Sequence, residues 1–508
     1  MNRARQLFKS SLIVIFLLGL GKVTGLVRIQ LVAGAFGASP EYDAFTAANQ
    51  LPEVFFTLIA GGALAAAFIP VYTAYLANEP AQKAARLANT ILTLVLLLLG
   101  SVSLAGAILA PWLTSALLVP DFTPEMQRLT AELMRVILIQ TVLFGLSGVL
   151  SSILNSHQHF ATPALAPLAL DVGYVAGLFL FVPEMGIMGL AWGTVIGGVL
   201  HILIQAPALF KYRIRLRPQL AWRMRGVREI AFLMGPRVIT LGTIQLADLV
   251  IIRLASRLPG GSTSAYFYGY ALMQLPETLF GTAIAIVVFP TMSELYNEGD
   301  MEGLKRTAVN AIRIIWTLTI PSAALMVLLG SPAIAAFLQR GAFDEASTRL
   351  VYSVLAVFSV RLVSEATLEI VARLFYARHN TYMPMFAYLS WLAVNVVLAY
   401  LLVDSLGIAG LALASTVAFT WLAALLYWLN WRELGGLGEK ELGKTAGRAL
   451  AATFVMSLVV TGLGRLIANE LLYLLAGGAA GVLVYVLVSF LLGGREIPDL
   501  VRLVRKKV

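Results

Sequence analysis

Apolar residues run along this chain in long blocks that fit neither the alternation of a strand nor the stripe of a surface helix. The stretches Ile91 to Leu118 and Leu471 to Gly494 carry no charge at all. Each exceeds the roughly 20 apolar residues a helix needs to cross a bilayer. Turn and breaker residues divide the blocks: Ser39-Pro40, Glu79-Pro80, Pro120-Asp121, Pro183, Pro259-Gly260-Gly261, Gly299-Asp300 and Gly435-Gly436. The pattern predicts about fourteen transmembrane helices, at 10–36, 43–76, 88–118, 127–155, 161–182, 186–210, 229–256, 265–296, 307–338, 347–376, 382–403, 407–430, 447–468 and 471–493. The connections are short, so the expected fold is an all-α polytopic membrane protein.

Charge tests that count. Only 13% of the 508 residues are charged, against roughly 25% in a soluble domain. The net charge of +10 would suit nucleic acid, but its placement gives it another meaning. With a cytoplasmic N-terminus, the inside connections hold 25 Lys and Arg, and the outside ones hold six: Arg128, Arg253, Arg257, Arg340, Arg349 and Arg465. That is the positive-inside rule, and it removes nucleic acid as a partner. Both termini are expected in the cytoplasm. Met1 to Lys9 is basic and precedes an apolar run, as in a signal peptide. Lys22 interrupts that run and the small residues Ala33-Gly34-Ala35 come late, so an uncleaved first helix is expected. There is no cysteine, and the four histidines have no partners at metal-ligand spacing. With no nucleophile–base set either, the chain is expected to have no catalytic residue, metal or cofactor.

The chain also repeats itself. Gln50-Leu51-Pro52-Glu53 recurs as Gln274-Leu275-Pro276-Glu277, 224 residues on, and each copy leads to a Phe and Pro (Phe68-Ile69-Pro70; Phe289-Pro290). Gly186-Ile187-Met188-Gly189-Leu190-Ala191 recurs as Gly407-Ile408-Ala409-Gly410-Leu411-Ala412, and Pro163 as Pro384, both at 221. Three matches near one offset indicate a duplicated six-helix unit. Six is even, so the copies form a parallel repeat about an axis along the membrane normal. The expected divisions are 1–222, 223–432, and a C-terminal pair of helices with a basic tail in 433–508. Such a duplication predicts a central cavity and alternating access.

Charges inside the spans mark candidate sites, because each costs about 2.5–3.5 kcal/mol on insertion scales. They are Lys22, Arg28, Asp43, Glu53, Glu132, Arg135, Asp171, Arg237, Asp248, Glu277, Arg313, Arg361, Glu365 and Glu369. Lys22 lies mid-span among Gly19, Gly21 and Gly25; with Arg28 it makes a cationic stretch suited to a phosphate. Arg237, in the seventh span, would add charge from the duplicate lobe. Glu132 with Arg135, and Arg361 with Glu365 and Glu369, read as local ion pairs. Asp43 either caps its helix or pairs with Arg28 to control an outer gate. For Na+ or H+ coupling, Asp248 with Asn395 and Ser415 is the best candidate set. The connection Lys211 to Arg228, with seven positive charges and Trp222, fits orientation and attraction to anionic lipid.

Several stretches resemble the MurJ/MviN family. They are Gly25-Leu26-Val27-Arg28, Phe36-Gly37-Ala38 leading to Tyr42-Asp43-Ala44-Phe45, Ile153-Leu154-Asn155-Ser156, Phe160-Ala161-Thr162-Pro163-Ala164-Leu165-Ala166-Pro167, Gln339-Arg340-Gly341-Ala342-Phe343-Asp344 and Ala372-Arg373-Leu374-Phe375-Tyr376-Ala377. The resemblance implies two six-helix lobes in a V with two extra C-terminal helices. It also implies flipping of lipid II, the undecaprenyl-diphosphate-linked peptidoglycan precursor, to the periplasmic leaflet by a protein working as a monomer. Lys22 and Arg28 match the family's first-span basic pair, and Asp43 its acid opening the second span. Many relatives place arginines just after the Leu-Pro motif, where this chain reads Val54, Phe55, Phe56 and Thr57. A common acid is Gly61 here, and an arginine of the eighth span is Ala271. A different polyprenyl-diphosphate-linked glycan stays open as cargo. Cation-coupled drug export fits less well, because a basic first span would repel cationic drugs.

Overall fold

The apolar blocks fold as helices, which satisfy every backbone donor and acceptor within the segment, as hydrocarbon demands. The structure, a computed structural model, describes residues 2–212, 216–494 and 496, with side chains for 17 and from 19 onward except 236. The helices are α1 (Asn2–Phe36), α2 (Pro40–Ile59), α3 (Gly62–Asn78), α4 (Ala81–Trp112), α5 (Pro124–Ser156), α6 (Ala161–Leu180), α7 (Ile187–Leu203) and α8 (Arg225–Ala255). They continue as α9 (Ser262–Glu277), α10 (Ala283–Asn297), α11 (Met301–Leu338), α12 (Glu345–Ala377), α13 (Tyr382–Leu434), α14 (Glu439–Leu466) and α15 (Glu470–Leu491). No strand occurs among the described residues. Eleven segments there are long and apolar enough to span a membrane. The equally long α1 and α12 fall outside the eleven, and α13 is two antiparallel helices joined at Gly407. Across that corner Trp421 Nε1 donates to Ser390 Oγ at 3.3 Å. The protein is a multi-pass helical membrane protein.

Two compact units divide the chain: residues 1–261 with 340–342, and 262–339 with 343–508. In the first, α1 packs on α6, α6 on α7, α7 on α5, α5 on α2 and α4, and α8 on α3. In the second, α12 packs on α9, α11 and α13, and the pair α14 and α15 lies on α11. The basic residues Arg213, Arg215, Arg495, Arg502, Arg505, Lys506 and Lys507 lie outside the described residues, as do the side chains of Arg3, Arg5 and Lys9.

The repeat read from the sequence is also a repeat of backbone geometry. Gly186 has φ 56 and ψ −140, and Gly407 has φ 58 and ψ −137. Each makes a helix corner in a region that only glycine occupies at low cost. Three residues on, a Cβ at Gly189 would meet the Phe181 carbonyl carbon at 2.5 Å, and one at Gly410 the Leu402 oxygen at 2.3 Å. The non-glycine residues with positive φ, Gln158 and His379, are also a repeat pair. The change of offset has a structural cause. Fifteen residues separate Glu53 from Phe68, but twelve separate Glu277 from Phe289. The first copy breaks between α2 and α3, where the second runs through a π-helical turn, Thr278–Thr282.

Gly186→Ala and Gly407→Ala are each expected to destabilise the protein by about 1–3 kcal/mol, measured as thermal unfolding in detergent. Gly462→Ala, in a helix with nothing within 4 Å of the added Cβ, serves as the neutral comparison.

Candidate functional site

Helix α1 carries the two cations singled out above, and the structure gives them different surroundings. Six residues of helix separate them by about 9 Å along the axis and about 120° around it. Lys22 is exposed, with no ion-pair partner among the described residues. Beside it, Cβ atoms at Gly19 and Gly25 would meet nothing within 4 Å, so a strip of α1 backbone stands open.

Arg28 is held between α1 and α6. Its Nε lies 3.1 Å from Asp171 Oδ1, off the N–H axis, so the contact is an ion pair rather than a hydrogen bond. Its guanidinium sits 4.6 Å from the centre of the Tyr174 ring, a cation–π contact. One turn before Arg28, the Thr24 hydroxyl donates to Asp171 Oδ2 at 2.6 Å. Phe45 meets Tyr174 edge-on, Tyr42 stacks on Phe45, and Phe36 on Tyr42. The Nη donors of Arg28 make no hydrogen bond within the described structure, and its side chain keeps 28% of its exposure.

A close helix crossing supports this arrangement from behind. Cβ atoms at Gly173 and Gly177 would lie 2.3–2.5 Å from the backbone of Gly197 and Gly193 on α7. Small residues at four-residue spacing let two membrane helices touch backbone to backbone. The platform carrying Asp171 and Tyr174 is therefore fixed by main-chain packing.

Asp43 is not paired with Arg28. It is buried in the first turn of α2, and its Oδ2 accepts the Gly261 N–H at 2.6 Å. Gly261 has φ +91, and a Cβ there would lie 2.3 Å from the Ala38 oxygen. Asp43 therefore clasps two turns, 37–39 and 259–261. Nearby, Ala342 N–H donates to Gly34 O at 2.8 Å, which accounts for Gly341 (φ +57) in the Gln339–Asp344 motif.

The remaining candidates each have their own surroundings. Arg237 on α8 is exposed, with no hydrogen bond or ion pair to Lys22 or Arg28. Asp248 is half-buried in the first unit, whereas Asn395 and Ser415 are buried in the second. Ser415 is committed to Arg361, whose Nη1 donates to it at 2.7 Å. Arg361 also bonds Glu365 at 2.7 Å and lies 3.8 Å over the Phe419 ring. Gln274, from the repeated motif, donates to Glu365 at 2.8 Å. Glu369 pairs with Arg373. Glu132 and Arg135 do not neutralise each other: both are exposed, and Arg135 Nε donates to the Ala107 carbonyl at 3.0 Å. Sequence reasoning gave Asp171 no role and passed over Thr24 and Tyr174. The i,i+4 spacing of Thr24 and Arg28, and the i,i+3 spacing of Asp171 and Tyr174, were the available signals.

This framework matches known proteins over nearly its whole length. A family profile described as the lipid II flippase MurJ matches residues 32–476. The chain belongs to the MurJ family. It is 30% identical over 440 residues to a lipid II flippase MurJ of Burkholderia cenocepacia, covering 85% of this chain and 84% of the relative. A probable lipid II flippase MurJ of Vibrio cholerae is 29% identical over 516 residues, with 97% of each chain covered. Among solved structures, a lipid II flippase MurJ in an inward closed conformation superposes with TM-score 0.81 at 22% identity, covering 97% of this chain and 100% of that one. An inward-facing MATE multidrug transporter of the MOP superfamily gives 0.71 at 18%, covering 84% and 99%.

Three of the positions where the MurJ/MviN resemblance implies charge, Phe55, Phe56 and Gly61, are used here for packing. Phe55 and Phe56 pack on the apolar cluster around Phe68, Leu87, Leu99 and Ile153. A Cβ at Gly61 would lie 2.9 Å from the Thr57 backbone, so this tight break admits no acidic side chain without moving. The family motifs Ile153–Ser156 and Phe160–Pro167 flank a histidine turn. His157 stacks on Tyr212 (centroids 5.4 Å apart), and His159 meets the same ring edge-on. Burial lowers the pKa of both below 6.5, and Lys211 lowers His159 further.

Depressed histidines make the unfolded chain the better proton acceptor, so stability is fully present above about pH 6.5 and falls as pH drops below it. The unfolding temperature should therefore decrease between pH 7.5 and pH 5. The His157→Gln/His159→Gln variant should show a shallower decrease.

Proposed function

We propose that this chain flips lipid II from the cytoplasmic to the periplasmic leaflet of the bacterial inner membrane. The observation that carries the reading is Arg28. A guanidinium inside a membrane span, with its Nη donors unengaged, is poised for two oxygens of a diphosphate. Lys22, with no ion partner among the described residues and beside open backbone, offers a second charge about one and two-thirds turns away. The names borne by relatives at 29–30% identity support the same cargo. The task is the passage of an anionic head group through hydrocarbon, which requires compensating charge and no covalent step. Movement follows alternating access. Asp43, clasping glycine turns, is the gating element of the first unit, and a Na+ or H+ gradient biases the cycle. Asp248, Asn395 and Ser415 remain the candidates for coupling, and Arg237 for additional head-group charge. The alternation of Lys and Arg supports cytoplasmic termini, and the chain works as a monomer.

A strap on α4 supports anionic lipid as a second partner. The N–H groups of Arg217, Gln219 and Ala221 donate to Asn89, Thr93 and Thr90 at 3.1–3.4 Å. This leaves Leu216, Leu220 and Trp222 exposed beside Arg217 and Arg223, with the Arg223 guanidinium 4.8 Å over the Trp222 ring. Apolar and cationic side chains interleaved on one strap suit an anionic membrane surface.

Lys22→Ala and Arg28→Ala should each fail to support growth of a strain depleted of its own flippase, at normal protein level. Normal growth of both would contradict the reading. Failure of the wild-type chain itself, with loss of a surface polysaccharide on deletion, would select another polyprenyl-diphosphate glycan. In proteoliposomes, flipping should rise with the fraction of phosphatidylglycerol, and Arg217→Gln/Arg223→Gln should flatten that rise. An unchanged rise would remove the strap's role.

A further inference from the structure

Arg28 faces an electrostatic problem that the proposed cargo sharpens. A cation inside a span needs an opposing charge while the site is empty, yet a permanent partner would compete with the lipid. The surroundings of Arg28 meet both needs. Asp171 is 8% exposed and lies 3.1 Å from Nε, but the approach lacks hydrogen-bond geometry. The carboxylate's second oxygen is occupied by Thr24 at 2.6 Å, so Asp171 is held by a neutral donor as well as by the charge. The guanidinium carbon lies 4.6 Å from the centre of the Tyr174 ring, a contact that does not depend on which anion it meets. The arginine is thus oriented by an aromatic face and neutralised by a weakly engaged acid.

We infer that Asp171 is the resting counter-anion of the site, a positioning residue whose charge a lipid diphosphate displaces from Arg28. This rests on the lipid-diphosphate reading above and adds how the site empties itself. When the diphosphate takes the Nη edge, Asp171 stays on Thr24. When the lipid leaves, the carboxylate compensates Arg28 again and disfavours rebinding. The pair therefore trades affinity for release, and Tyr174 keeps the guanidinium in register through both states. Glycine packing at Gly173 and Gly177 keeps Asp171 from retreating with α6.

The test uses the purified full-length chain, with undecaprenyl diphosphate and lipid II as probes. Asp171→Asn keeps the shape and removes the charge. It should bind both lipids roughly fivefold more tightly, the upper range for a partly exposed ion pair, while flipping in proteoliposomes slows. In an Arg28→Gln background the same substitution should change neither quantity, an outcome that a merely structural role would not produce. Unchanged or weaker binding by a well-folded D171N, or tightening that persists without Arg28, overturns the inference. If Arg28→Gln loses binding while D171N leaves it untouched, only this inference falls. If the wild-type chain binds neither lipid, the proposed function falls with it. Should D171N not accumulate, Asp171→Ala, which leaves no buried amide to satisfy, is measured in its place under the same criteria.

Discussion

The cost of holding charge in hydrocarbon organises this protein. An arginine there must be paired, stacked or in use. In the second unit the problem is closed: Arg361 is 5% exposed, bonded to Glu365 and Ser415 and covered by the Phe419 ring. Arg313 is closed too, with Glu496 at 2.6 Å and Thr445 at 3.0 Å. In the first unit it is left partly open. Arg28 has a stacking face and an off-axis carboxylate, and Lys22 has no ion partner among the described residues. Fully satisfied buried networks rigidify a structure; incompletely satisfied ones are where a ligand can make a difference.

What makes that openness tolerable is the stiffness behind it. Helix α6 touches α7 backbone to backbone through Gly173, Gly177, Gly193 and Gly197. Without a hydrophobic drive between helices, such close packing is a principal source of association in lipid. It fixes the face from which Asp171 and Tyr174 reach α1. The clasp of Asp43 on Gly261 fixes the turn that follows α1. The cationic helix is thus positioned by its neighbours at a level that does not depend on its own charges.

Much of this was legible in the sequence, and the exceptions have physical reasons. Uncharged runs gave the helices, because length and apolarity are what a bilayer demands. The duplicated Gly186 and Gly407 motifs marked true corners, since a glycine-only backbone conformation leaves a residue that cannot be replaced cheaply. The π-helical turn at Thr278–Thr282 leaves only a three-residue change of offset in the sequence, which does not say where the backbone absorbs it. Partners were harder to read than elements. Arg361 with Glu365 followed from i,i+4 spacing, but Arg28 with Asp171 joins residues 143 positions apart, which no local pattern reports. Glu132 and Arg135 had favourable spacing, yet a backbone carbonyl took the arginine. Phe55 and Phe56, noticed as missing arginines, proved to be packing residues of an apolar cluster.

If the first helix holds the anionic group of the cargo, a structure of the chain with an undecaprenyl-diphosphate lipid bound will show it. The diphosphate is expected within hydrogen-bond distance of the Arg28 Nη atoms, near Lys22, with Asp171 still on Thr24 and off the guanidinium. A diphosphate seated on Arg361 or Arg373 of the second unit, with Arg28 still on Asp171, would contradict it.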